Sequence, residues 1–355
     1  MMPLIYSPHH TQHQPLVEQY HGRLLPYPET PRRIESLRQH LERADLVCVS
    51  EPTHPISHMD LVQTHDEGFL VWFQQFSSQI PRFSHAATPY YQLADTEDVY
   101  LYPAVFPSRL TMSRLRNTTM ETSGYYAFDT AAPIGSGTWF AALHSATAAQ
   151  TAADRLLDES ASAAYALCRP PGHHAGRDFV GGYCYLNNAA VAATRLLRRG
   201  EVAVIDIDYH HGNGTQDIFW NNPLVFFGSI HADPAFEYPY YAGYVDEIGG
   251  EGALNTNLNL PLPSGTGGLR FLEALEVLLS AVLAFEPATL VVSVGFDTSS
   301  DDPTATFELR DEDYHRIGVA LASVNRPTLF VQEGGYNASV NGVLAEQLLR
   351  GFLGV

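Results

Sequence analysis

Short, almost wholly apolar runs alternate with longer amphipathic stretches along this chain. The short runs are rich in β-branched residues, as expected for parallel strands that are covered on both faces. They lie at residues 163–168, 202–207, 224–230, 290–294 and 328–332. Apolar positions with a helical period predict helices at residues 137–157, 188–199, 268–285 and 311–323. The alternation predicts an α/β fold with a doubly wound, mainly parallel sheet that is flanked by helices.

One segment departs from this alternation. Residues 81–133 are rich in Tyr, Phe, Pro, Thr and Arg and show neither a helical nor an alternating period. A stretch of this length inside a compact domain is usually a lid or an interface arm, and its aromatic content argues against disorder. We therefore expect residues 1–355 to form a single domain in which residues 81–133 are a long loop or arm.

The charged residues are strongly unbalanced. The 20 basic residues, all of them arginine, against 39 acidic ones give a formal net charge of −19. Because a Walker-type phosphate loop and a pyridoxal Schiff base both depend on lysine, the sequence excludes both. The negative charge disfavours nucleic acid as a partner and favours cationic ligands, although solubility alone also explains an acidic surface.

The cysteines and the apolar runs indicate the cellular setting. Cys48, Cys168 and Cys184 form no CxxC pair, so they predict neither a disulfide framework nor a structural zinc site. The first residues lack a basic region followed by a long apolar one, and no later apolar run reaches the ~18 residues of a membrane span. We expect a soluble, cytoplasmic protein that does not enter a membrane.

Polar, glycine-containing segments stand at or beside the ends of the predicted strands. Because the carboxyl ends of parallel strands meet at one edge of a sheet, where ligands bind, we expect these segments to converge. They are Arg-Pro-Pro-Gly-His-His at 169–174, Asp-Ile-Asp-Tyr-His-His-Gly-Asn-Gly at 206–214, Gly-Phe-Asp at 295–297 and Glu-Gly-Gly-Tyr at 333–336.

Three of these residues predict a catalytic metal site. Asp208 and His210 are two positions apart at the end of a strand and can face one cation, and Asp297 closes another strand. Two carboxylates and one imidazole hold zinc and leave a position open, as catalysis requires, while iron, cobalt and manganese also accept these ligand types. Taken singly, each residue is more simply a strand-end cap or a loop histidine, and it is the combination that favours the site.

The remaining polar residues predict proton transfer and carbonyl activation. His173 and His174 are adjacent, and histidine is the side chain best suited to exchange protons near neutral pH. Asp206 and Asn213 are the available partners for their second nitrogens, and we expect His173 with Asp206 to be the main proton carrier. Tyr336 can donate a hydrogen bond to a carbonyl oxygen on which charge develops.

Together, the four segments resemble the motifs of the arginase-deacetylase superfamily, specifically the zinc-dependent histone deacetylases and their bacterial relatives, the acetylpolyamine amidohydrolases. The similarity runs from about residue 127 to residue 336. It implies the arginase-deacetylase fold and metal-assisted amide hydrolysis, with a structural potassium ion beneath the zinc site. By this resemblance the zinc ligands are Asp208, His210 and Asp297, the catalytic residues are His173, His174 and Tyr336, and the potassium ligands include Asp206, Asp208 and Ser229.

Several details are similar to the acetylpolyamine branch of this family. Asn213 stands where class I deacetylases carry an aspartate, and Tyr183 stands where deacetylases usually have a phenylalanine in the substrate tunnel. The Gly-Phe-Asp-Thr segment at 295–298 is also similar to that branch. The resemblance implies that Gly182 and Tyr183 line a narrow tunnel around the methylene chain of the substrate.

The segment 81–133 resembles a long loop of the same branch. That loop crosses a dimer interface and narrows the active-site entrance, which implies a homodimer or a higher homo-oligomer. The acidic side chains of Glu97 and Glu121 would then attract the distal ammonium of a polyamine.

These features predict a deacetylase whose substrate is a small cationic acetylated amine, an acetylpolyamine or a small acetylated diamine. One alternative is a deacetylase of acetyl-lysine in proteins or peptides, which would need an open rim. A second is a non-catalytic acetyl-ligand sensor, which the complete set of metal-binding and catalytic residues disfavours. The sequence leaves open which acyl chain and amine are preferred, whether the native metal is zinc, iron or cobalt, and the size of the oligomer.

Overall fold

The computed structural model describes the chain except for residues 21, 53, 84–99, 108–117 and 119–121, and except for the side chains of residues 81–83. Its strands are β1 (Met2–Tyr6), β2 (Val17–Tyr20), β3 (Arg23–Pro26), β4 (Val47–Ser50), β5 (Tyr100–Leu101), β6 (Ile134–Gly135), β7 (Ala163–Leu167), β8 (Val202–Asp206), β9 (Val225–Ala232), β10 (Asn257–Leu262), β11 (Thr289–Val294) and β12 (Thr328–Gln332). Its α-helices are α1 (Pro31–Arg43), α2 (His58–Leu61), α3 (Glu67–Phe83), α4 (Thr138–Leu157), α5 (Asn188–Leu196), α6 (Asn213–Phe219), α7 (Gly268–Phe285), α8 (Asp311–Ser323) and α9 (Asn341–Leu353).

An 8-stranded sheet in the order β10-β9-β8-β11-β12-β7-β1-β4 forms the centre of the fold. Every neighbouring pair in it is parallel. From β8 the chain continues outward to β9 and β10, whereas from β11 it continues in the opposite direction to β12. The crevice between β8 and β11 is therefore the topological switch point, where open α/β sheets bind their ligands. The predicted α/β fold with a doubly wound parallel sheet is confirmed.

Side chains alternate between the two faces of the central strands, so each face has its own apolar core. On β8, Ala203 and Ile205 pack into the cluster that includes α1, α7, α8 and α9. Val202 and Val204 pack into the opposite cluster, with the alanine-rich faces of α4 and α5. Helices on both faces hold the sheet rigidly, and the loops at its carboxyl edge inherit that rigidity.

All five predicted strands and all four predicted helices are present, with bounds that differ by a few residues at some ends. The largest difference is at α5, which ends at Leu196 instead of residue 199. The sequence analysis did not predict β1, β4 and β10, which complete the sheet, nor α1, α3 and α9.

The segment 81–133 is described only in part. Its first residues, 81–83, continue helix α3 and do not begin a loop, which corrects the predicted boundary. Residues 100–101 form β5 and pair with β6, and farther along, Phe128 packs its ring against Phe179 and Tyr238. Glu97 and Glu121 lie outside the described residues. No helix among the described residues is long and apolar enough to cross a membrane.

Candidate active site

The polar segments converge at the carboxyl edge of the sheet, beside the switch point. Potential ligand atoms of Asp208, His210 and Asp297 all lie within 4.8 Å of one another. Both carboxylates are fully buried, and the imidazole of His210 is partly exposed. The structure therefore brings together the three residues that the sequence predicts as one metal site.

Hydrogen bonds from backbone amides orient the carboxylates of Asp208 and Asp297. Asp208 accepts a hydrogen bond from the amide of His210 at 2.9 Å and another from the amide of Gly334 at 2.8 Å. Asp297 accepts one from the amide of Tyr209 at 3.1 Å. The predicted positions need one correction, because β8 ends at Asp206 and β11 at Val294. Turns beyond the strands, rather than side-chain alternation along a strand, bring the three ligands together.

The electrostatics of this cluster fit a bound cation. Burial, reinforced by the nearby negative charge of Asp208, raises the pKa of Asp297 to about 7. His210 Nδ1 lies 3.1 Å from Asp297 Oδ2 and 3.4 Å from Asp208 Oδ1, so one imidazole faces two buried carboxylates. A divalent cation would offset the repulsion between the carboxylates of Asp208 and Asp297. A set of two carboxylates and one imidazole suits zinc.

His173 is oriented by a buried carboxylate. Its Nδ1 lies 3.0 Å from Oδ2 of Asp206, so it donates to the carboxylate, and its Nε2 lies 3.8 Å from Oδ1 of Asp208. Burial opposes protonation of His173, but the negative charges of Asp208 and Asp206 outweigh it and raise the pKa to about 10. The side chain is thus positioned to hold or move a proton at Nε2, on the metal-site side of the ring.

His174 has an amide partner instead. Its Nδ1 lies 2.7 Å from Oδ1 of Asn213. Burial lowers the pKa of His174 well below its usual value, and the neighbouring His173 and His210 lower it further. Both pairings expected from the sequence are present as contacts, and the catalytic roles of the two histidines stay predictions.

Tyr336 lies on the loop that follows β12, two residues after Gly334, whose amide donates to Asp208. Its ring is 5.7 Å from the ring of Tyr183, and the guanidinium of Arg33 lies 4.7 Å from its centroid. Arg33 also donates to the backbone carbonyls of Glu333 and Gly335 and pairs with Glu29 at 2.7 Å. The sequence analysis missed Arg33, since nothing in helix α1 indicates that one of its residues reaches the far loop.

Glu333, the first residue of the Glu-Gly-Gly-Tyr segment, is a further residue whose role was not predicted. Its Oε2 accepts hydrogen bonds from the amides of Gly172 at 2.7 Å and His173 at 3.1 Å. Its other oxygen accepts from the hydroxyl of Ser293 at 3.2 Å. This carboxylate therefore ties the tandem-histidine turn to the loop that carries Tyr336.

Gly182 and Tyr183, which the family resemblance assigns to a substrate tunnel, lie beside His174 and Tyr336 respectively. Gly182 has a φ of +51°, and a Cβ on it would lie 2.4 Å from the His174 ring, so only glycine fits there. Tyr238, which was not predicted, packs its ring against His174 with ring centroids 4.9 Å apart. Asp129 connects Gly182 to Tyr238, since it accepts from the Gly182 amide at 2.9 Å and from the Tyr238 hydroxyl at 2.7 Å.

Glu18, on the hairpin of β2 and β3, also reaches Tyr183. The hydroxyl of Tyr183 donates to Glu18 Oε2 at 2.6 Å. Burial raises the pKa of Glu18, the Tyr183 hydrogen bond opposes the rise, and the negative charge of Asp129 adds to it. Within the described part of the chain, neither Glu18 nor Asp129 forms an ion pair. The sequence of strand β2 gives no local signal that Glu18 contacts Tyr183.

Asp206 and Ser229 are cross-strand neighbours on β8 and β9. Both are fully buried, and the hydroxyl of Ser229 also lies 2.8 Å from His231 Nδ1. Their oxygens are the hard donors that an alkali cation takes, and their assignment as potassium ligands stays a prediction.

Comparisons with known proteins show what the whole chain is similar to. Residues 27–352 match the histone deacetylase domain family. The chain is 39% identical to acetylpolyamine amidohydrolase 1 of Pseudomonas aeruginosa over 99% of its own length and 98% of the relative. It is 38% identical to the acetylpolyamine amidohydrolase of Mycoplana ramosa, over 99% of its length and all (100%) of the relative.

A solved structure gives the same result. The crystal structure of an acetylpolyamine aminohydrolase from Burkholderia pseudomallei superimposes with a TM-score of 0.90 and 34% identity, covering 99% of this chain and 98% of the other. Similarity therefore extends over both the fold and nearly the full sequence. The chain belongs to the histone deacetylase domain family, and it is a hydrolase that acts on amides.

Proposed function

We propose that this protein is a zinc-dependent deacetylase of acetylated polyamines or small acetylated diamines. The names of the matched relatives, which align along almost the whole chain, support this substrate class. The observation that carries it is Glu18, a half-buried carboxylate without an ion-pair partner among the described residues. Tyr183 connects it to the site, because its ring packs against Tyr336 while its hydroxyl donates to Glu18.

The position of Glu18 suits a diamine that carries one acetyl group. An acetamide held beside Tyr336 would extend its methylene chain along the ring of Tyr183, an apolar wall. The free ammonium at the other end would then meet the Glu18 carboxylate, where a charge-assisted hydrogen bond compensates for its lost hydration. Asp129, whose charge acts on both Glu18 and Tyr183, adds negative potential to the same wall.

Asp208, His210 and Asp297 would hold the zinc ion. Bound there, zinc supplies Lewis-acid activation of the acetamide carbonyl and of water. The protein's own contribution begins with Tyr336, whose hydroxyl donates a hydrogen bond to the carbonyl oxygen as negative charge develops on it. The buried walls around the site exclude bulk water and strengthen this interaction.

Proton transfer falls to the paired histidines. Asp206 holds the Nδ1 proton of His173. Much of the rise in the pKa of His173 comes from the charge of Asp208, which a bound cation would offset, so that Nε2 would be free to accept a proton from the attacking water and to return it to the leaving amine. Asn213 holds His174 in the same way, but an amide raises the basicity of an imidazole less than a carboxylate does. We therefore assign the main proton transfer to His173 and a supporting role to His174.

We also propose that a structural potassium ion binds at Asp206 and Ser229.

We further propose that the protein is a homodimer. Support for the dimer comes from the connection between β9 and β10, which contains Tyr238 and exposes large apolar side chains. Phe236 is 80% exposed, Tyr241 93% and Val245 67%. Exposed apolar side chains grouped in one loop are typical of an interface, and the same loop contains Tyr238, whose ring packs against His174. Light scattering on the purified protein measures the mass directly.

A substrate series tests the proposed function. Acetate release would be measured on zinc-loaded enzyme with acetylputrescine, acetylcadaverine and acetylspermidine, and with N-butylacetamide as a neutral control that lacks the distal ammonium. We expect kcat/KM to be roughly 10-fold or more higher for the cationic amides than for the neutral one. Equal values for all four compounds would show that the enzyme does not recognise the ammonium, and no acetate release would refute the deacetylase itself.

A further inference from the structure

The loop that carries Tyr336 is held by a carboxylate that no part of the chemistry above uses. Asp302 Oδ2 accepts a hydrogen bond from the amide of Tyr336 at 2.5 Å and another from the amide of Asn337 at 3.2 Å. Its other oxygen accepts from the amide and the hydroxyl of Thr304, at 2.9 and 2.7 Å. Asp302 is 7% exposed, so these four donors surround a nearly buried group.

The opposite side of the same loop is held through the carbonyl of Gly335. Asn341, at the start of helix α9, donates its side-chain amide to this carbonyl at 2.9 Å, and Arg33 donates to it as well. Gly335 has a φ of +106°, a conformation that strongly favours glycine. The backbone on either side of the Tyr336 amide is therefore anchored to two different parts of the fold.

The phenol of Tyr336 depends on this anchoring. Among the described residues, its hydroxyl has no hydrogen-bond partner, and the side chain meets the ring of Tyr183 at 5.7 Å and the guanidinium of Arg33 at 4.7 Å. Ring contacts of this kind restrict the side chain but do not fix where the hydroxyl stands. The position of the hydroxyl is thus set mainly by the position of the backbone.

We propose that Asp302 is a positioning residue for the reaction: it fixes the backbone of Tyr336 so that the phenol meets the substrate carbonyl. Charge-assisted hydrogen bonds to two successive amides make a stiff clamp. Displacing a group by about 1 Å from its productive position costs roughly 100-fold in rate. Loosening the clamp therefore lowers turnover, although within the described part of the chain the side chain of Asp302 is hydrogen-bonded only to Thr304, Tyr336 and Asn337. The inference rests on the role of Tyr336 in the proposed function.

Asp302→Asn tests this, because it keeps the size of the side chain and replaces one acceptor oxygen by a donor. The amide must turn an N–H group toward either Tyr336 and Asn337 or Thr304, which breaks the clamp on one side. We expect kcat to fall about 10- to 100-fold, with KM nearly unchanged and one zinc per chain retained. Asp301→Asn, which makes the same change at the exposed neighbouring residue, is the matched control and should keep wild-type turnover.

A double-mutant cycle separates positioning from general support of the fold. If Asp302 acts through the phenol, Asp302→Asn should cost almost nothing in a Tyr336→Phe background, because the group that it positions is already gone. If it only stabilises the protein, the same loss of kcat should appear in both backgrounds, and that result would overturn the proposal. Thr304→Val, which removes one donor to Asp302, is a milder variant if Asp302→Asn fails to fold. It should lower kcat several-fold in the wild-type background only.

The outcomes also distinguish this inference from the proposed function. A large loss of kcat in Tyr336→Phe, together with a wild-type kcat in Asp302→Asn, would refute the role of Asp302 and leave the proposed function intact. Wild-type-like turnover of Tyr336→Phe would refute the role of both residues.

Discussion

Replacing Glu18 by glutamine should reduce the activity on cationic amides selectively. The substitution removes the negative charge but keeps a carbonyl oxygen that can accept the hydrogen bond from Tyr183, which lies at 2.6 Å in the wild type. The contact with Tyr183 is therefore kept, and the substitution changes only the charge. Activity on a neutral substrate of the same shape should be unaffected.

The size of the effect follows from the environment of Glu18. Two unit charges about 4 Å apart interact by roughly 4 kcal/mol at the effective dielectric of a protein surface. Because Glu18 is half-exposed, solvent screens part of this energy, and a charge-assisted hydrogen bond is typically worth about 1.5–3 kcal/mol. We therefore expect Glu18→Gln to lower kcat/KM for acetylputrescine by roughly 10- to 100-fold.

The same side chain predicts a pH dependence. Burial raises the pKa of Glu18 above the usual glutamate value, and binding of an ammonium requires the ionised form. The contribution of Glu18 is complete above this raised pKa and is lost as pH falls through it. For acetylputrescine, kcat/KM should thus decline at a higher pH than an ordinary glutamate would cause, and the Glu18→Gln variant should lack this component.

The assay is initial-rate acetate release from acetylputrescine and from N-butylacetamide, with zinc-loaded wild type, Glu18→Gln and Glu276→Gln. Glu276 is exposed on helix α7, which packs against β9 and β10, and its substitution makes the same charge change as a control. A loss confined to acetylputrescine and to Glu18→Gln agrees with the prediction. An equal loss on both substrates, or no loss on either, would refute the reasoning.

Further substitutions test the catalytic and structural residues. Tyr336→Phe and His173→Ala should each lower kcat by at least ~100-fold while elemental analysis still finds one zinc per chain, since neither residue is a ligand. Asp297→Ala should lose both zinc and activity, and stoichiometric zinc in this variant would show that the ligand assignment is wrong. Glu29→Gln should lower the free energy of unfolding by about 3–5 kcal/mol in urea titrations, because the buried guanidinium groups of Arg33 and Arg169 both pair with Glu29 Oε1, at 2.7 and 2.8 Å. An unchanged urea midpoint would show that the pairing of Glu29 with Arg33 and Arg169 does not stabilise the fold.

The sequence was most informative where a local pattern carries the structure. Buried parallel strands are continuously apolar, so β7, β8, β9, β11 and β12 could be recognised, and the polar segments beside their ends indicated the site. The Asp-x-His spacing correctly indicated that Asp208 and His210 lie close together, although the side chains converge through turns beyond β8 and not along the strand itself.

Strand β10 shows why part of the sheet was missed. It carries two asparagines, Asn257 and Asn259, at buried positions, which breaks the apolar run expected of a covered strand. Their side chains are satisfied by Gln216 and Glu247, through hydrogen bonds of 2.6 to 3.1 Å. Such partners are far apart along the chain, so the sequence alone gives no sign that these polar positions can be buried.

The same limit applies to residues that reach the site from a distance. Glu18 contacts Tyr183 across 165 positions, and Arg33 contacts the carbonyl of Gly335 across 302. Glu18 lies in an exposed hairpin strand and Arg33 in an amphipathic helix, and the hydrophobic pattern of neither element is unusual. Only the packing of the whole chain brings them to the site.

The most direct test of the account is a competition between two substrates on one preparation of zinc-loaded enzyme. Equimolar acetylputrescine and an acetyl-lysine histone peptide would be mixed, and mass spectrometry would follow both products, so that the ratio of initial rates equals the ratio of their kcat/KM values. We expect acetylputrescine to be favoured by roughly 10-fold or more. A preference for the histone peptide would contradict the account and identify the protein as a deacetylase of acetyl-lysine.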